Sequence, residues 1–340
     1  MTNIKVGIIG ASGFTGAELL RLAAQHPDFE IVLATGDSMA GQRAADLYPS
    51  LETAYPDLVF ETFDTTKAEG LDLVILGLPH EASMELAPQL VGSVRCVVDL
   101  SAGYRLKNVA DYPPYYGFEH TQPDLLAKAV FGLPEVYRDQ LREADLIATP
   151  GCHVTAAVLA LKPLVDAGLV ETTGVIVNTL TGVTGAGRTP TDLNIFSNID
   201  SNVMAYGLLG HRHTPEMQQE IGADVLFTPH LVPMSRGMLA TCYATPSADA
   251  SAASVDAALR DAYADEHFVT VVERPPTTKA VLGSNAAHVA ARFDERTRRV
   301  ITMCSLDNMT KGASGAAVQS ANIALGLDEA SGLTTVGVAP

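Results

Sequence analysis

The first half of the chain alternates short apolar runs with amphipathic stretches, and this alternation constrains the fold most. Five runs are typical of parallel strands buried between two layers of helices. After the first run, apolar residues from Ala17 to Ala24 recur at helical spacing, and Pro27 ends that stretch. The alternation predicts a Rossmann-type, doubly wound α/β domain. The five runs are KVGIIG (5–10), EIVLATG (30–36), LDLVILGLP (71–79), RCVVDLSAG (95–103) and ADLIATPG (144–151).

The pattern changes after residue 150. Longer, partly alternating runs follow, and residues 288–307 resemble a hairpin with a charged four-residue turn at 294–297. One helical stretch, 251–266, interrupts them, which predicts an α+β domain with a mostly antiparallel sheet. Residues 311–327 return to a helical pattern that can pack on the first domain. We therefore expect one domain from residues 1–149 and 312–340, and a second from residues 150–311.

Composition and charge exclude several kinds of partner. The 22 basic against 39 acidic residues give a net charge of −17, which argues against binding nucleic acid. No run approaches the roughly 20 apolar residues of a membrane span, and the N-terminus lacks a signal-peptide pattern, so we expect a cytoplasmic protein. The spacing of the four cysteines predicts neither a metal site nor disulfides. They are Cys96, Cys152, Cys242 and Cys304.

A glycine-rich turn follows the first strand. Gly10, Gly13 and Gly16 recur every third residue and open a helix. Such spacing lets backbone N–H groups approach a pyrophosphate at the positive end of the helix. A tight turn without a ligand is the alternative, but the strand before and the helix after favour a dinucleotide site.

The choice of dinucleotide depends on the end of the second strand. An acidic residue about 20 positions beyond the glycines usually holds the ribose 2′-OH of NAD, and Asp37 lies near that place. Ser38 and Arg43 are instead suited to a 2′-phosphate, and Asp37 can simply cap the next segment. We therefore expect NADP in preference to NAD.

The segment TPGCHVTAA (149–157) places a cysteine directly after a Pro-Gly corner. A strand precedes it and a helix follows, so the Cys152 thiol lies at the first helical turn. Partial positive charge there favours the thiolate and stabilises developing negative charge. A buried packing cysteine is the alternative. We expect the adjacent His153 at the surface or in a capping role, and not as the catalytic base.

The segment GHRHTPEMQQEIG (210–222) gathers polar side chains where a helix begins. Thr214 is suited to cap that helix, with Pro215 at its first position. His213 and Glu216 are three residues apart, so the carboxylate can orient the imidazole as a general acid/base. A polar helix entry with solvent-facing histidines is the alternative.

The segment TLTGVTGAGR (179–188) is rich in glycine and ends in Arg188. It follows a strand without a clear helix after it, so a second nucleotide loop is not predicted. Either a mobile segment that closes over substrate or an ordinary flexible loop fits this composition.

Seven motifs, in this order, resemble the N-acetyl-γ-glutamyl-phosphate reductases of arginine biosynthesis, within a wider group that includes aspartate-semialdehyde dehydrogenases. The resemblance implies an NADPH-dependent enzyme in which Cys152 forms a thioester with an acyl phosphate and His213, oriented by Glu216, is the general acid/base. It also implies an NADP-binding domain completed by the C-terminal helix, and a catalytic and substrate domain that forms the interface of a homodimer or homotetramer. The motifs are GASGFTGAEL, FGLPE, TPGCHVTA, TGVTGAGR, GHRHTPE, FTPHLVPMSRGML and LDNMTKGASGAAVQ.

Further contacts follow from the same resemblance. Arg105 and Arg188 are placed near the substrate phosphate or carboxylate, because a guanidinium binds either group with two hydrogen bonds. His211 and Arg236 complete the expected substrate contacts. The expected cofactor contacts are Gly10, Ala11, Ser12, Gly13, Phe14, Thr15, Gly16, Ser38, Arg43, Ser101, Asn308 and Lys311.

The chain departs from the family pattern beside these motifs. Thr149, His153 and Val154 replace the usual Asn, Tyr and Pro around the cysteine, and Gly103 and Tyr104 replace Asp and Phe before Arg105. These changes put substrate selectivity in question and leave the reaction class unaffected. Carrier-linked aminoadipyl phosphate and aspartyl phosphate are the alternative substrates. A cysteine hydrolase without a cofactor is one rival function, and the glycine loop argues against it. A catalytically inactive NADP sensor is another, and the presence of Cys152, His213 and Glu216 argues against it.

Overall fold

The computed structural model describes residues 3–339, which form two compact units: residues 3–150 with 313–333, and residues 151–312 with 334–339. The strands are β1 Ile4–Ile9, β2 Phe29–Ala34, β3 Leu73–Leu76, β4 Cys96–Asp99, β5 Val130–Phe131, β6 Leu146–Ala148, β7 Val175–Thr181, β8 Met204–Ala205, β9 Val225–Leu231, β10 Met238–Ala244, β11 Val269–Val271, β12 Ala287–Asp294 and β13 Arg299–Leu306. The helices are α1 Phe14–Ala23, α2 Ala44–Leu47, α3 His80–Leu90, α4 Tyr112–Tyr116, α5 Pro123–Lys128, α6 Pro134–Leu141, α7 Cys152–Asp166, α8 Phe196–Ile199, α9 Thr214–Ile221, α10 Ala252–Ala262 and α11 Gly315–Ala324.

The first unit is built on a six-stranded parallel sheet in the order β2-β1-β3-β4-β6-β5. Five of these strands coincide with the five apolar runs, so the predicted doubly wound sheet is confirmed. The sixth strand, β5, has two residues, too few to produce a periodic signal. The edge strand β2 is not buried on both faces as expected, because Val32 is 48% exposed where no neighbouring element covers it.

Two apolar cores cover the two faces of this sheet. Ile8 and Ile75 belong to a cluster with α1 and α11 residues, whereas Ile9 and Val74 belong to a cluster that includes Met84 of α3. Alternate residues of one strand therefore face opposite helical layers, as a doubly wound sheet requires. Helix α11 packs against α1, α6 and β4, which places the C-terminal helix in the first unit.

The second unit contains a mixed, mostly antiparallel sheet in the order β11-β12-β13-β10-β7-β9-β8. The β11–β12 and β7–β9 pairs are parallel and the other neighbouring pairs are antiparallel. Strands β12 and β13 form the expected hairpin, with residues 295–298 as the turn, one residue later than predicted. Helices α7 and α10 pack on this sheet, while Ile176, Leu180 and Leu226 on two of its strands stay exposed.

The last described residues group with the second unit and not with the first, where the sequence pattern placed all of 312–340. The Asn285 N–H donates to the Thr334 carbonyl at 2.8 Å, and the Val338 N–H donates to the Leu282 carbonyl at 2.8 Å. These backbone hydrogen bonds hold residues 334–339 to the second unit. Backbone bonds leave no hydrophobic periodicity in the sequence, so the sequence pattern did not predict this grouping. Across residues 3–339, no helix is both long and apolar enough to cross a membrane.

Candidate active site

The Pro-Gly corner and the histidine-rich turn meet in the second unit. Cys152 is the first residue of α7, and Gly151 before it is the N-cap. The Gly151 N–H donates to Oε1 of Glu216 at 2.9 Å, and Glu216 is fully buried. A Cβ at position 151 would lie 2.5 Å from Nε2 of His213, so the imidazole rests directly on this glycine. Two motifs 60 residues apart in the chain thus form one site.

The start of helix α9 explains why His213 contacts Gly151. Helix α9 begins at Thr214 with Pro215 in its first turn, and it packs against α7. His213 occupies the N-cap position, so the expectation that Thr214 caps the helix is wrong. Because His213 precedes the first helical residue, its side chain reaches the start of α7. Only glycine at position 151 leaves room for the ring.

A cavity of about 260 Å³ opens at this corner. Cys152 is half-buried in its wall at the start of α7, where the helix dipole gives partial positive charge. Residues Gly185 and Ala186 of the glycine-rich segment also line it. The polar side chains in the wall are Cys152, His153, Thr191, Tyr206, His211, Arg212 and His213.

His153 is buried, contrary to the expectation that it lies at the surface or caps a helix, since it is only 3% exposed. Its Nδ1 lies 2.8 Å from the Thr179 hydroxyl and its Nε2 lies 3.0 Å from the Tyr206 hydroxyl. Burial lowers the pKa of His153 well below its usual value of 6.5, and nearby His211 and Arg212 lower it further. His153 is therefore a neutral imidazole at pH 7, held at both ring nitrogens.

His211, a predicted substrate contact, lines the cavity half-buried. Its Nδ1 accepts the backbone N–H of His213 at 3.1 Å. Burial, with a smaller contribution from Arg212, lowers the pKa of His211 to about 4. The expected solvent-facing alternative for this histidine pair does not hold, because His213 is also buried.

Among the further cavity residues to which the sequence assigned no role are Arg212 and Tyr206. Arg212 stands between two predicted histidines, so its position in the motif was the available signal. Tyr206 belongs to the segment before that motif and carries no periodic or spacing signal of its own. Arg212 gives the cavity a fixed positive charge, which suits an anionic ligand.

Arg236, a predicted substrate contact, is engaged inside the second unit. Its Nε lies 3.0 Å from Oδ2 of Asp307 and its Nη2 lies 3.0 Å from Oδ1, a two-pronged ion pair with a fully buried carboxylate. The same carboxylate accepts the Gly283 N–H at 2.7 Å. The guanidinium thus anchors the turn after β13, and its contact with substrate stays a prediction.

Asn308 and Lys311, predicted cofactor contacts, also have partners within the second unit. The Asn308 side chain accepts the Gly237 N–H at 2.7 Å and donates to the Thr184 hydroxyl at 2.9 Å. It therefore ties the glycine-rich segment to the turn after β9. Lys311 is fully buried, with its ammonium 5.8 Å from the centre of the Phe268 ring.

The glycine-rich turn of the first unit contains two glycines that packing requires and a third, Gly13, with open space beside it. Gly10 has φ +92°, and a Cβ there would lie 2.4 Å from the Gly77 carbonyl. At Gly16 a Cβ would lie 2.4 Å from Ala11 Cα, so helix α1 approaches the strand too closely for any side chain. At Gly13, the N-cap of α1, the nearest atom would be 3.6 Å away. The chain itself leaves this space open, as a pyrophosphate requires. The neighbouring predicted contacts Ala11, Ser12, Phe14 and Thr15 belong to the same turn.

The segment expected to choose between NAD and NADP is polar and exposed. Asp37 adopts φ +27°, and both it and Ser38 are exposed. Arg43 pairs with Glu52 at 2.8 Å and with Asp46 at 3.2 Å, and the bond to Glu52 raises its pKa. The guanidinium also donates to the Pro56 carbonyl from Nε at 2.9 Å and from Nη2 at 2.6 Å, and the Arg43 side chain remains 40% exposed.

The remaining predicted residues lie in both units. In the first unit the Ser101 hydroxyl donates to the buried Asp99 at 2.7 Å, and the buried Arg105 donates to the Leu100 carbonyl at 2.8 Å. In the second unit Arg188 is half-buried, and nothing within residues 3–339 forms an ion pair with it. Arg188 is therefore available to an anion.

Comparison with known proteins defines the class. Residues 5–144 match the family model "Semialdehyde dehydrogenase, NAD binding domain", and residues 152–308 match "Semialdehyde dehydrogenase, dimerisation domain". Aspartate semialdehyde dehydrogenase II from Vibrio cholerae, solved complexed with ASA, superposes with a TM-score of 0.71 at 18% identity, covering 96% of this chain and 99% of that one. The enzyme from Candida albicans, solved with NADP, gives 0.64 at 18% identity over 95% and 98%. The chain has the semialdehyde dehydrogenase fold.

More similar sequences define the family. An N-acetyl-gamma-glutamyl-phosphate reductase of Symbiobacterium thermophilum is 45% identical over 98% of each chain. One from Pseudomonas syringae is 43% identical over 99% of this chain and 100% of its own. The chain belongs to the N-acetyl-gamma-glutamyl-phosphate reductase family. It is an oxidoreductase, so the predicted family, fold and enzyme class are confirmed.

The glycine turn generates a paired prediction. Gly16→Ala forces a methyl into Ala11 and should lower the free energy of unfolding by about 1–3 kcal/mol. Gly13→Ala places its methyl in open space and should change stability by less than about 1 kcal/mol, yet weaken NADPH binding at least tenfold. Urea unfolding and calorimetric titration separate the two effects. Undiminished NADPH binding by Gly13→Ala would contradict a pyrophosphate site at this turn.

The neutral histidines generate a prediction about acid stability. The pKa values of His153 and His211 are lowered by burial, so below about pH 6.5 the unfolded chain takes up protons that the folded chain does not. The free energy of unfolding should therefore fall as pH drops from about 6.5 to 4. His211→Gln should reduce proton uptake on unfolding by up to one proton, measured by urea unfolding across this range. The exposed His267, replaced by Gln, is the control, and an equal change in both variants would contradict the assignment.

Proposed function

We propose that the chain reduces N-acetyl-γ-glutamyl phosphate to N-acetylglutamate 5-semialdehyde and phosphate, using NADPH, in arginine biosynthesis. The observation that carries the proposal is the corner at Gly151, which accommodates His213, bonds Glu216 and starts the helix bearing Cys152. The names of the relatives supply the acyl substrate.

Cys152 is the proposed nucleophile. Its thiolate attacks the acyl carbon, the bond from carbon to the phosphate oxygen breaks, and phosphate leaves with the electron pair of that bond. The acyl group is then held on Cys152 as a thioester, which divides one difficult step into two easier ones. The N–H groups at the start of α7 stabilise both the thiolate and the oxyanion formed during attack. When bound, a nicotinamide cofactor supplies the hydride that reduces the acyl group.

His213 is the proposed proton-transfer group. Its ring rests on Gly151, one residue before the nucleophile, which fits acceptance of the thiol proton and its return as the aldehyde is released. Glu216 accepts the Gly151 N–H and thereby fixes the corner. The predicted role of Glu216 in orienting His213 is part of the same proposal.

The acyl phosphate requires cationic partners. Arg212 in the cavity wall and Arg188 at the end of the glycine-rich segment are the proposed partners of phosphate or carboxylate oxygens. Arg105, with His211 and Arg236, belongs to the proposed substrate contacts on the family resemblance. A substrate with little negative charge would not need these arginines.

NADP is the proposed cofactor, in preference to NAD. The open space at Gly13 fits a pyrophosphate at the start of α1. Ser38 and the partly exposed Arg43 fit the additional 2′-phosphate, and a hydroxyl with an arginine is a suitable pair for that group. Ser101, Asn308 and Lys311 are the further proposed contacts.

A homodimer or homotetramer in the cytoplasm is the proposed assembly. Ile176 and Leu180 of β7 and Leu226 of β9 are exposed apolar side chains on the sheet of the second unit. That unit matches a family model named for dimerisation. A second copy packed on this surface would remove these side chains from water.

The reverse reaction tests the proposed function. Purified protein should oxidise N-acetylglutamate 5-semialdehyde only with both NADP and phosphate, or arsenate, present. We expect kcat/KM at least 100-fold higher than for aspartate semialdehyde or an aminoadipate-type semialdehyde, and at least tenfold higher with NADP than with NAD. Absorbance of the reduced cofactor follows the reaction, and Cys152→Ser is the inactive control. Oxidation without phosphate, or preference for another semialdehyde, would overturn the proposal.

A further inference from the structure

Three histidine rings converge in the cavity wall. The ring centres of His153 and His211 are 5.4 Å apart, those of His153 and His213 are 5.4 Å apart, and those of His211 and His213 are 4.9 Å apart. One nitrogen from each ring lies within 4.8 Å of the other two. In a tetrahedral zinc site with metal–nitrogen bonds of about 2.0–2.1 Å, ligand nitrogens are about 3.4 Å apart. The rings therefore need to close by less than about 1.5 Å.

His153 already has the hydrogen bond that orients a metal ligand. Metal-bound imidazoles usually donate their second N–H to an oxygen, which fixes the ring and its tautomer. The Thr179 hydroxyl, itself buried, lies 2.8 Å from Nδ1 of His153 and can accept such a bond. Nε2 of His153 is then unprotonated and lies 3.0 Å from the Tyr206 hydroxyl. A metal ion can bind the lone pair of Nε2 in place of that hydroxyl proton.

His211 and Arg212 set the requirements for the ion. If Nε2 of His211 binds the metal, the ring proton moves to Nδ1. Nδ1 can then no longer accept the hydrogen bond from the His213 backbone N–H. This loss is small compared with the metal–imidazole bond that is gained. Arg212 opposes a dication, whereas the net charge of −17 attracts cations to the molecule. Imidazole ligands select zinc, copper or nickel over magnesium or calcium.

We infer that His153, His211 and His213 form a binding site for a divalent transition-metal ion of the zinc class, and that the bound ion inhibits the enzyme. The inhibitory effect rests on the proposed function, because a ligated His213 cannot transfer a proton. Binding itself does not depend on that function. The cysteine spacing predicted no metal site, and the three histidines come from two segments that only folding brings together.

Direct binding tests this site apart from catalysis. Metal-free protein is titrated with Co²⁺, whose visible absorption reports four-coordinate binding, and with Zn²⁺ in competition with a chromophoric chelator. One ion per chain is expected. His153→Gln and His211→Gln should each raise Kd at least tenfold, and Thr179→Val about tenfold, because the orienting bond is lost. His230→Gln is the matched control, since this half-buried histidine bonds the Thr179 carbonyl outside the cluster.

The thiol requires its own control. Cys152→Ser should change Kd for Zn²⁺ by less than about threefold if three imidazoles hold the ion. Loss of binding in Cys152→Ser, with binding retained in His153→Gln and His211→Gln, would overturn the proposal in favour of a simple thiol site. Thermal unfolding of each variant shows that it is folded. In the parent enzyme, Zn²⁺ should inhibit turnover reversibly, and a chelator should restore it. In His153→Gln, inhibition should need at least tenfold more Zn²⁺.

Discussion

The hydrogen bond from the Gly151 backbone to the Glu216 carboxyl group ties the start of α7, which bears Cys152, to the start of α9, which follows His213. A fully buried carboxylate is costly unless donors satisfy it, so Glu216 constrains where the start of α7 can lie. Loss of a hydrogen bond that leaves a buried polar group unsatisfied costs about 1–3 kcal/mol. With the corner held, the absence of a side chain at Gly151 lets His213 rest against the backbone. One contact thus brings together the proposed nucleophile, Cys152, and the proposed proton-transfer group, His213.

The electrostatics of the cavity form a consistent set. His153 and His211 stay neutral because they are buried and lie near Arg212, so the permanent positive charge comes from arginine and from the start of α7. Because these two imidazoles carry no charge at pH 7, binding of an anionic substrate is left to the guanidinium groups. The same neutral rings are also ligands for a transition-metal ion. The proposed proton transfer and the proposed metal binding both involve His213.

Much of this structure was predictable from the sequence. The buried runs gave the parallel sheet, and the glycine spacing gave the turn before α1, because these patterns are set by local contacts. The pairing of Cys152 with His213 was predictable as a hypothesis, since each occupies the start of a helix. Burial of His153 and the position of Tyr206 were not, because they depend on Thr179 and other residues far away in the chain. Arg236 also shows this limit, as its partner Asp307 lies 71 positions later.

The central claim is that Cys152 carries the acyl group, and trapping that intermediate tests it most directly. N-acetyl-γ-glutamyl phosphate is mixed with the protein without nucleotide, quenched in acid and analysed by mass spectrometry of the intact chain and its peptides. If Cys152 forms the thioester, the mass increases by one N-acetylglutamyl group, confined to the Cys152 peptide, approaching one per chain, and absent in Cys152→Ser. Acylation of another residue, or the same labelling in Cys152→Ser, would contradict it.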